Sequence, residues 1–285
     1  MTALPALTIR RVAAALLACG LAVALAACFV LPGQFTSTLD IRKDGRFSYS
    51  YQGEIFMFVF SELNDAAKPE EFSPITCFDG DTGEERTCSK DELAQQRKEW
   101  DEGAERRKAK RQRELEEMRV FLGGIDPSDP KAAEKFAEKL QRQAGWRRVV
   151  SKGNGLFDVD FAINGTLTYD FAFPTMEQVN NSMPFLQLSI RNDGTVRMDA
   201  PVFGTKANDP LRLMMGQNFP DSGEDKKIPN APKVRGTFTL TTDGQILSNN
   251  TDQGPQADAA GQKLHWTIGE QDNLAAPMAL IKLSR

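Results

Sequence analysis

The sequence predicts an α+β fold: a mostly antiparallel, curved sheet of hairpins with one long charged helix and one shorter amphipathic helix. Four segments alternate apolar and polar residues on both sides of an Asp-Gly or Asn-Gly pair, which is the pattern of a β-hairpin. Two helix-start patterns lie between the first segment and the others. Strands interrupted by a block of helix are typical of the α+β class.

The four predicted hairpin turns are Asp44-Gly45, Asn164-Gly165, Asp193-Gly194 and Asp243-Gly244. Gly and Asn accept the positive φ angles of tight turns, and the flanking period of two buries one face of each strand. The copies are too irregularly spaced for a solenoid or a propeller. We therefore expect one antiparallel sheet of successive hairpins, completed by strands over 263–268 and 276–283.

The first predicted helix begins after Ser89, which forms a capping-box sequence with Glu92. It should run over 90–122 to Gly123-Gly124, and its middle is almost wholly charged. The second helix should follow Asp129 as N-cap and Pro130 in the first turn. Its expected buried face consists of Ala133, Phe136, Ala137, Leu140 and Ala144. A short helix over 209–215 is expected in a loose, proline-rich stretch.

The amino-terminal segment has the pattern of a secretory leader. Arg10-Arg11 precede an apolar run over 12–27, whose helix would be about 24 Å long and too short to cross a core of about 30 Å comfortably. The run ends in Leu-Ala-Ala-Cys at Cys28 and resembles the lipobox of bacterial lipoproteins. The resemblance implies cleavage before Cys28 and acylation of that residue. A buried amino-terminal helix and a permanent membrane span are the alternatives.

This leader gives the predicted organisation: a signal peptide over 1–27, a lipidated tether over 28–38, and one α+β domain over 39–285 with a helical insertion at about 89–145. In Gram-negative lipoproteins an Asp after the acylated cysteine favours inner-membrane retention, and here that position is Phe29. The resemblance therefore implies the periplasmic face of the outer membrane, with the inner membrane as the alternative.

Cys77 and Cys88 are the two cysteines expected to form a disulfide. Export would place them in an oxidising compartment, where paired thiols are oxidised. A metal site that adds Asp79 and Asp81 is the alternative, but the spacing matches no zinc pattern. The run over 79–84 resembles a calcium loop only loosely. We expect no metal and no cofactor.

Few residues suggest catalysis. The chain has one histidine, His265, which strand alternation places on the solvent side, so Ser-His and Cys-His mechanisms have little support. No nucleotide-binding motif occurs, and a net charge of −4 argues against nucleic acid. A hydrolase that uses paired carboxylates remains an alternative and would need one acid with a raised pKa.

Eighteen phenylalanines suggest a second possibility, an apolar ligand. Most should be core, but an aromatic-lined concavity binds apolar molecules. The predicted ligand face consists of Phe161, Phe171, Phe173, Met214 and Met215. The basic stretch over 106–113 is expected to be a solvated helix face, or else a contact for anionic lipid or an envelope protein.

Three segments carry a wider resemblance: the lipobox with the following residues 32–39, the turn over 124–130, and the run over 236–247. In these segments the chain resembles a group of lipoproteins from Gram-negative alphaproteobacteria, a resemblance that brings no activity with it. A weaker, fold-level likeness is to LppM-type lipoproteins, whose domain resembles lipid-binding folds. The predicted function is a non-catalytic envelope binding or assembly module, held to the membrane by its lipid, whose ligand would be a lipid or another apolar molecule. The alternative is a structural or partner-binding lipoprotein that acts through the charged helix.

Overall fold

The computed structural model describes residues 30–61, 71–79, 83–176, 183–204, 230–269 and 275–284. The fold is α+β with mostly antiparallel strands and few helices, as the sequence predicts. The chain forms two compact units: Leu63–Pro130 is one, and the rest of the described chain is the other. Cys28, Met214, Met215 and the predicted helix over 209–215 lie outside the described residues.

The described strands are β1 (Val30–Ile41), β2 (Arg46–Met57), β3 (Cys77–Phe78), β4 (Glu85–Arg86), β5 (Trp146–Gly153), β6 (Leu156–Thr166), β7 (Phe171–Phe173), β8 (Leu186–Ile190), β9 (Thr195–Asp199), β10 (Arg235–Thr242), β11 (Gln245–Asn249), β12 (Gln256–Asp258), β13 (Gly261–Ile268) and β14 (Met278–Lys282). The described helices include α1 (Lys90–Glu102), α2 (Ala104–Phe121) and α3 (Ala132–Gln141), with a 3-10 turn at Pro201–Phe203.

The larger unit consists of two sheets that pack face to face, where the sequence predicted one. A seven-stranded sheet has the order β12-β13-β10-β1-β2-β6-β5, and a five-stranded sheet has the order β11-β14-β9-β8-β7. Aromatic rings fill the space between them: Phe173 of β7 lies 5.2 Å from Tyr51 of β2 and 4.6 Å from Phe161 of β6, between ring centroids. The core is therefore an aromatic layer between two sheets.

The centre of the larger sheet departs from the predicted antiparallel pattern. β1 pairs antiparallel with β2 on one side and parallel with β10 on the other, with Thr38 opposite both Ser50 and Thr239. Nearly 200 residues separate β1 from β10, so no local pattern specifies this pairing. The prediction of one sheet built from successive hairpins is wrong at this position, whereas the prediction of mostly antiparallel strands is confirmed.

Two predicted hairpins are confirmed and two are wrong. Asp44-Gly45 joins β1 to β2, and Asp193-Gly194 joins β8 to β9. Asn164-Gly165 instead lies inside β6, opposite Ser48 and Phe47 of β2, because β2 is long enough to pair with the whole of β6. Asp243-Gly244 carries the chain from one sheet to the other, since β10 and β11 belong to different sheets.

The residues assigned to a tether fold differently from the prediction. β1 begins at Val30, so most of the segment over 28–38 is a buried strand rather than a linker. The register of β1 and β2 shifts between Pro32 and Phe35, and this bulge accommodates Pro32 and Gly33 within the strand. The amide of Gln34 donates to Glu54 Oε2 at 2.9 Å within this bulge.

The smaller unit contains the charged helices. The capping box is present as predicted, with Ser89 accepting from the Glu92 amide and Glu92 accepting from the Ser89 amide. The predicted helix over 90–122 is described as α1 and α2, which meet at Gly103. The insertion predicted at about 89–145 also differs, because the compact unit is Leu63–Pro130.

The amphipathic helix α3 belongs with the two sheets. Its N-cap is Lys131 rather than Asp129. Its buried face is Ala132, Phe136, Ala137 and Leu140, which matches three of the predicted positions. Phe136 packs beside Phe60 at 5.1 Å between ring centroids, so the helix covers the end of the aromatic core.

Candidate functional site

The outward face of the seven-stranded sheet is a polar surface rich in hydroxyl groups. Burial alternates along each strand, so that Thr36 and Thr38 of β1 are exposed while Phe35, Ser37 and Leu39 are buried. The register places Thr36 and Thr38 beside Thr237 and Thr239, and the Oγ1 of Thr38 lies 2.7 Å from the Oγ of Ser50. We call this surface the hydroxyl face; it comprises Thr36, Thr38, Ser50, Thr237, Thr239 and Thr241.

One end of this face deepens into a depression of about 460 Å³, within the range of small-molecule sites. It lies beside the turn between β1 and β2, where the ends of β1, β2 and β6 meet. Asp40 pairs with Ser48, Ser48 with Asn164, and Arg46 with Thr166. Its lining residues are Asp40, Arg42, Arg46, Phe47, Ser48, Asn164, Gly165 and Thr166.

Arg42 is held rigidly at one side of the depression. Its Nε donates to Asp40 Oδ1 at 2.6 Å, and its Nη2 donates to the other carboxylate oxygen. Its Nη1 donates to the carbonyl of Ala260 at 2.6 Å. A guanidinium that makes a bidentate carboxylate contact and a third bond has little freedom, so Arg42 and Asp40 form a fixed polar wall.

Arg46 is the adaptable cation of the site. Its side chain is 72% exposed, and its Nε donates to Asp44 Oδ2 at 2.8 Å. The pKa of Asp44 is lowered by the backbone amide of Arg46 and then by its side chain, which keeps that carboxylate charged. Because exposed ion pairs contribute little, Arg46 can turn to another anion at small cost.

His265 lies at the far side of the hydroxyl face. It is exposed, as predicted, with Leu264 and Trp266 facing inward. Its Nδ1 is 3.0 Å from the Oγ1 of Thr239. The contact adds a ring nitrogen to the row of hydroxyl groups.

The predicted apolar ligand face is packed against other rings. Phe173 has no exposed surface and Phe161 has 5%, while Phe171 is half-buried. Phe161 lies 5.2 Å from Trp146, and Phe171 lies 5.7 Å from Tyr49, between ring centroids. These contacts give the three phenylalanines a packing role in the core, and an apolar ligand at this face stays a prediction.

The smaller unit holds the cysteine pair and a mixed-charge helix surface. The Sγ atoms of Cys77 and Cys88 lie 2.00 Å apart, as in a disulfide. Arg107 lies over the Trp100 ring at 3.6 Å, and Lys110 approaches Glu114 at 3.6 Å. The basic stretch over 106–113 thus takes part in contacts with α1 and along α2. Asp81, part of the loose calcium-loop pattern, lies outside the described residues.

The resolved carboxyl pKa shifts give no support to a paired-acid hydrolase. Among the acids that the structure describes, four have a lowered pKa, and in each case hydrogen bonds to the charged form are the main cause; they are Asp44, Glu92, Asp126 and Asp193. Within the described ranges no cluster of three or more His, Cys, Asp or Glu side chains is arranged for a metal. No described helix is both long and apolar enough to span a membrane.

Sequence reasoning missed the depression. Asp40, Arg42 and Arg46 read as the polar flanks of a hairpin, and Asn164 as part of a turn. The hairpin pattern was enough to bring Asp40 near Ser48, but the pairing of β2 with β6 that adds Asn164 and Thr166 is non-local.

Comparison of the chain with protein-family models, with curated proteins and with solved structures finds no match.

Proposed function

We propose that this protein is a membrane-anchored periplasmic lipoprotein, acylated at Cys28, that acts as a non-catalytic binding module of the cell envelope. The outer membrane is its proposed location. The depression beside the turn between β1 and β2 is the proposed binding site. This depression is the observation that carries the proposal, because charged, amide and hydroxyl groups of the described surface converge there around a volume of ligand size.

Two observations support the anchor. The leader that ends at Cys28 has the charge, length and small residues of a lipoprotein signal. The disulfide-distance pair Cys77–Cys88 is compatible with an oxidising compartment outside the cytoplasm. A single acyl chain binds a membrane marginally, whereas several chains on one cysteine would hold the protein firmly.

The chemistry of the depression favours a hydroxyl-bearing ligand with an anionic group, such as an acidic saccharide. Asn164 and Thr166 are exposed and can donate and accept hydrogen bonds. The fixed Arg42–Asp40 pair offers directional partners, and the exposed Arg46 can bind a carboxylate or phosphate in a bidentate manner. Saccharide polymers with acidic groups are abundant in the periplasm, where the anchor would hold this site.

The anchor is tested by mass spectrometry of the mature protein from membranes. We expect cleavage before Cys28 and the added mass of a diacylglycerol and an acyl chain. Cys28→Ser should leave an uncleaved or soluble precursor. If the variant still fractionates as mature outer-membrane protein, the lipobox interpretation is wrong.

The site is tested by calorimetric titration of the mature protein with soluble muropeptides, which carry hydroxyl, amide and carboxylate groups. Arg46→Gln should weaken binding about ten-fold, since it removes a charge-assisted hydrogen bond. Arg197→Gln is a matched control. Arg197, like Arg46, is exposed and paired with an aspartate two residues away, but it and Asp199 lie on the other sheet. Equal loss in both variants, or no binding by the parent protein, contradicts the saccharide site.

The apolar-ligand alternative has its own test. Native mass spectrometry of gently purified protein, with lipid extraction alongside, would detect a co-purifying lipid at defined stoichiometry. Such a lipid would displace the saccharide proposal and return attention to the face formed by Phe161 and Phe171.

A second candidate function is protein binding through one long charged helix made of α1 and α2. The hydrogen-bond ladder supports continuity, because the Gly103 amide donates to Glu99 O and the Arg107 amide donates to Gly103 O, both at 3.1 Å. Crosslinking in cells from a photoreactive residue at exposed Glu105 would capture a partner. The same residue at exposed Asn192, in the turn of the other unit, is the control.

A further inference from the structure

We infer that the end of the larger sheet at which β1 begins lies directly on an anionic lipid surface, and that Lys152, Lys233 and Arg235 contact lipid phosphates. This inference rests on the proposed acylation of Cys28. It adds an orientation: one end of the domain faces the membrane, and the depression points away from it.

The first argument is the length of chain between the lipid and the fold. Only Phe29 separates Cys28 from Val30, where β1 begins. Two residues span at most about 7 Å when fully extended. The acylated cysteine sits in the lipid headgroup region, so the first residue of β1 cannot be far above it. A domain held this closely has one end pressed towards the surface.

The strand register identifies what else lies at this end. Leu31 of β1 is opposite Phe56 of β2, Phe56 is opposite Leu156 of β6, and Leu156 is opposite Gly153 of β5. The turn that joins β5 to β6 is therefore at the same end as Val30. The Met57 amide donates to the carbonyl of Gly155 at 2.8 Å, which fixes that turn against the end of β2.

The other side of β1 brings a second segment to the same end. β10 runs parallel to β1, with Arg235 beside Gln34. Pro232, just before β10, lies close to Gly33: a Cβ added to Gly33 would be 3.2 Å from the Cγ of Pro232. The start of β10 and the residues before it thus flank the start of β1.

Among the described residues at this end, the exposed charges are mostly positive. Lys152 precedes the turn between β5 and β6, and Lys233 and Arg235 lie at the start of β10; all three are exposed. The acids nearest to these cations among the described residues are Glu54, which is half-buried and accepts the Gln34 amide, and Asp158, which lies opposite Glu54 and is paired with Arg148 at 2.8 Å. Each cation close to an anionic membrane raises the local affinity about five-fold. We call this surface, Lys152, Lys233 and Arg235, the anchor end.

The depression lies at the opposite end of the same strands. β1 has 12 residues, so its two ends are about 36 Å apart at the usual strand rise. The Asp44-Gly45 turn marks the far end. The orientation would hold the depression well above the lipid headgroups, where a periplasmic polymer can reach it.

The test uses the full mature lipidated protein in vesicles of phosphatidylethanolamine and phosphatidylglycerol. A spin label at Asn154→Cys reports on the anchor end, and one at Asp44→Cys reports on the far end. A paramagnetic metal chelated by a lipid should relax the first label strongly and the second weakly. Equal relaxation of the two labels overturns the orientation.

Charge variants test the cations separately. Reversing Lys152, Lys233 and Arg235 to Glu should lower the relaxation at Asn154 without abolishing it, because the short link to Cys28 still holds this end near the surface, and replacing phosphatidylglycerol with phosphatidylcholine should do the same. Reversing Lys43, Arg191 and Lys282 to Glu at the far end should change neither label. If relaxation at Asn154 is the same on both kinds of vesicle, the cations do not dock the domain. A mass spectrum without the acyl groups would instead overturn the anchor itself, and the inference with it.

Discussion

Substitution of Phe161, a residue of the predicted apolar face, can distinguish a core role from a ligand-binding role. Its ring is 5% exposed and lies 4.6 Å from Phe173 and 5.2 Å from Trp146, between centroids. It also lies against Gly145, where a Cβ would come within 2.5 Å of the ring. Contacts on several sides indicate that truncation to alanine would leave an empty space rather than an enlarged binding site.

The expected cost of Phe161→Ala is about 4 kcal/mol, the central value for deleting a buried phenylalanine. A unit of this size loses about 2–4 °C of Tm for each kcal/mol, so its Tm should fall by about 8–16 °C. Phe161→Leu fills most of the space and loses the ring contacts, and it should cost about 1–2 kcal/mol.

The assay is differential scanning calorimetry of the mature protein, with circular dichroism to follow the sheets. Tyr169→Ala is the control, because Tyr169 is 84% exposed and its removal should change stability by less than about 0.5 kcal/mol. A fall in Tm of less than about 3 °C for Phe161→Ala would refute the packing argument. Such a small fall in Tm, together with weaker binding of a co-purified lipid by the Phe161→Ala variant, would favour the apolar-ligand role.

Three further predictions test the fold and the smaller unit. Gly236→Ala should lower the free energy of unfolding, measured in urea, by about 2–3 kcal/mol, because the new Cβ would lie 2.1 Å from the Phe35 carbonyl oxygen across the parallel pair. Gly165→Ala is the control: its Cβ would lie 3.5 Å from the nearest atom, on Phe47, and the substitution should cost less than about 0.5 kcal/mol. Hydrogen bonds from Arg86 and then Ser89 lower the pKa of Glu92 from 4.5 to about 2. The stabilisation that the Glu92 carboxylate contributes is thus complete above pH 4.5 and is lost as pH falls through about 2. Circular dichroism should show this loss of stability at low pH, and Glu92→Gln should abolish the pH dependence. Replacing Cys77 and Cys88 with Ser should remove about 2–3 kcal/mol by the loop-entropy estimate, seen as faster hydrogen exchange in α1; unchanged exchange would contradict the disulfide.

The sequence is informative wherever a structure is specified by neighbouring residues. The turns at Gly45 and Gly194 have positive φ angles of 90° and 76°, which their Asp-Gly sequences anticipate. The capping box at Ser89 is equally local. Asn154-Gly155 also has the local pattern of a turn, but it is not among the four turns predicted from the sequence. Asn154 has a positive φ of 49°, and buried and half-buried residues alternate along β6 after it.

The sequence fails where the partner of a strand lies far along the chain. Asn164-Gly165 has the same local pattern as a turn, but the long β2 offers it a strand to pair with, and Gly165 takes an extended backbone. The depression is unpredictable for the same reason, because Asn164 reaches Ser48 only through this pairing. The contact between Phe161 and Phe173 is likewise non-local, because it forms only when the seven-stranded sheet packs on the five-stranded sheet.

The position of β1 determines how the protein would respond to a pull on its amino-terminal end. β1 is hydrogen-bonded to β2 from Val30 to Ile41 on one side, and to β10 from Gln34 to Ile41 on the other. A force applied at Val30 acts along the strand, so it shears both ladders and loads their bonds together. An edge strand peeled from its tip would instead lose its bonds one after another. A domain tethered through this strand therefore resists being drawn out of its fold by the same attachment that would hold it at the membrane.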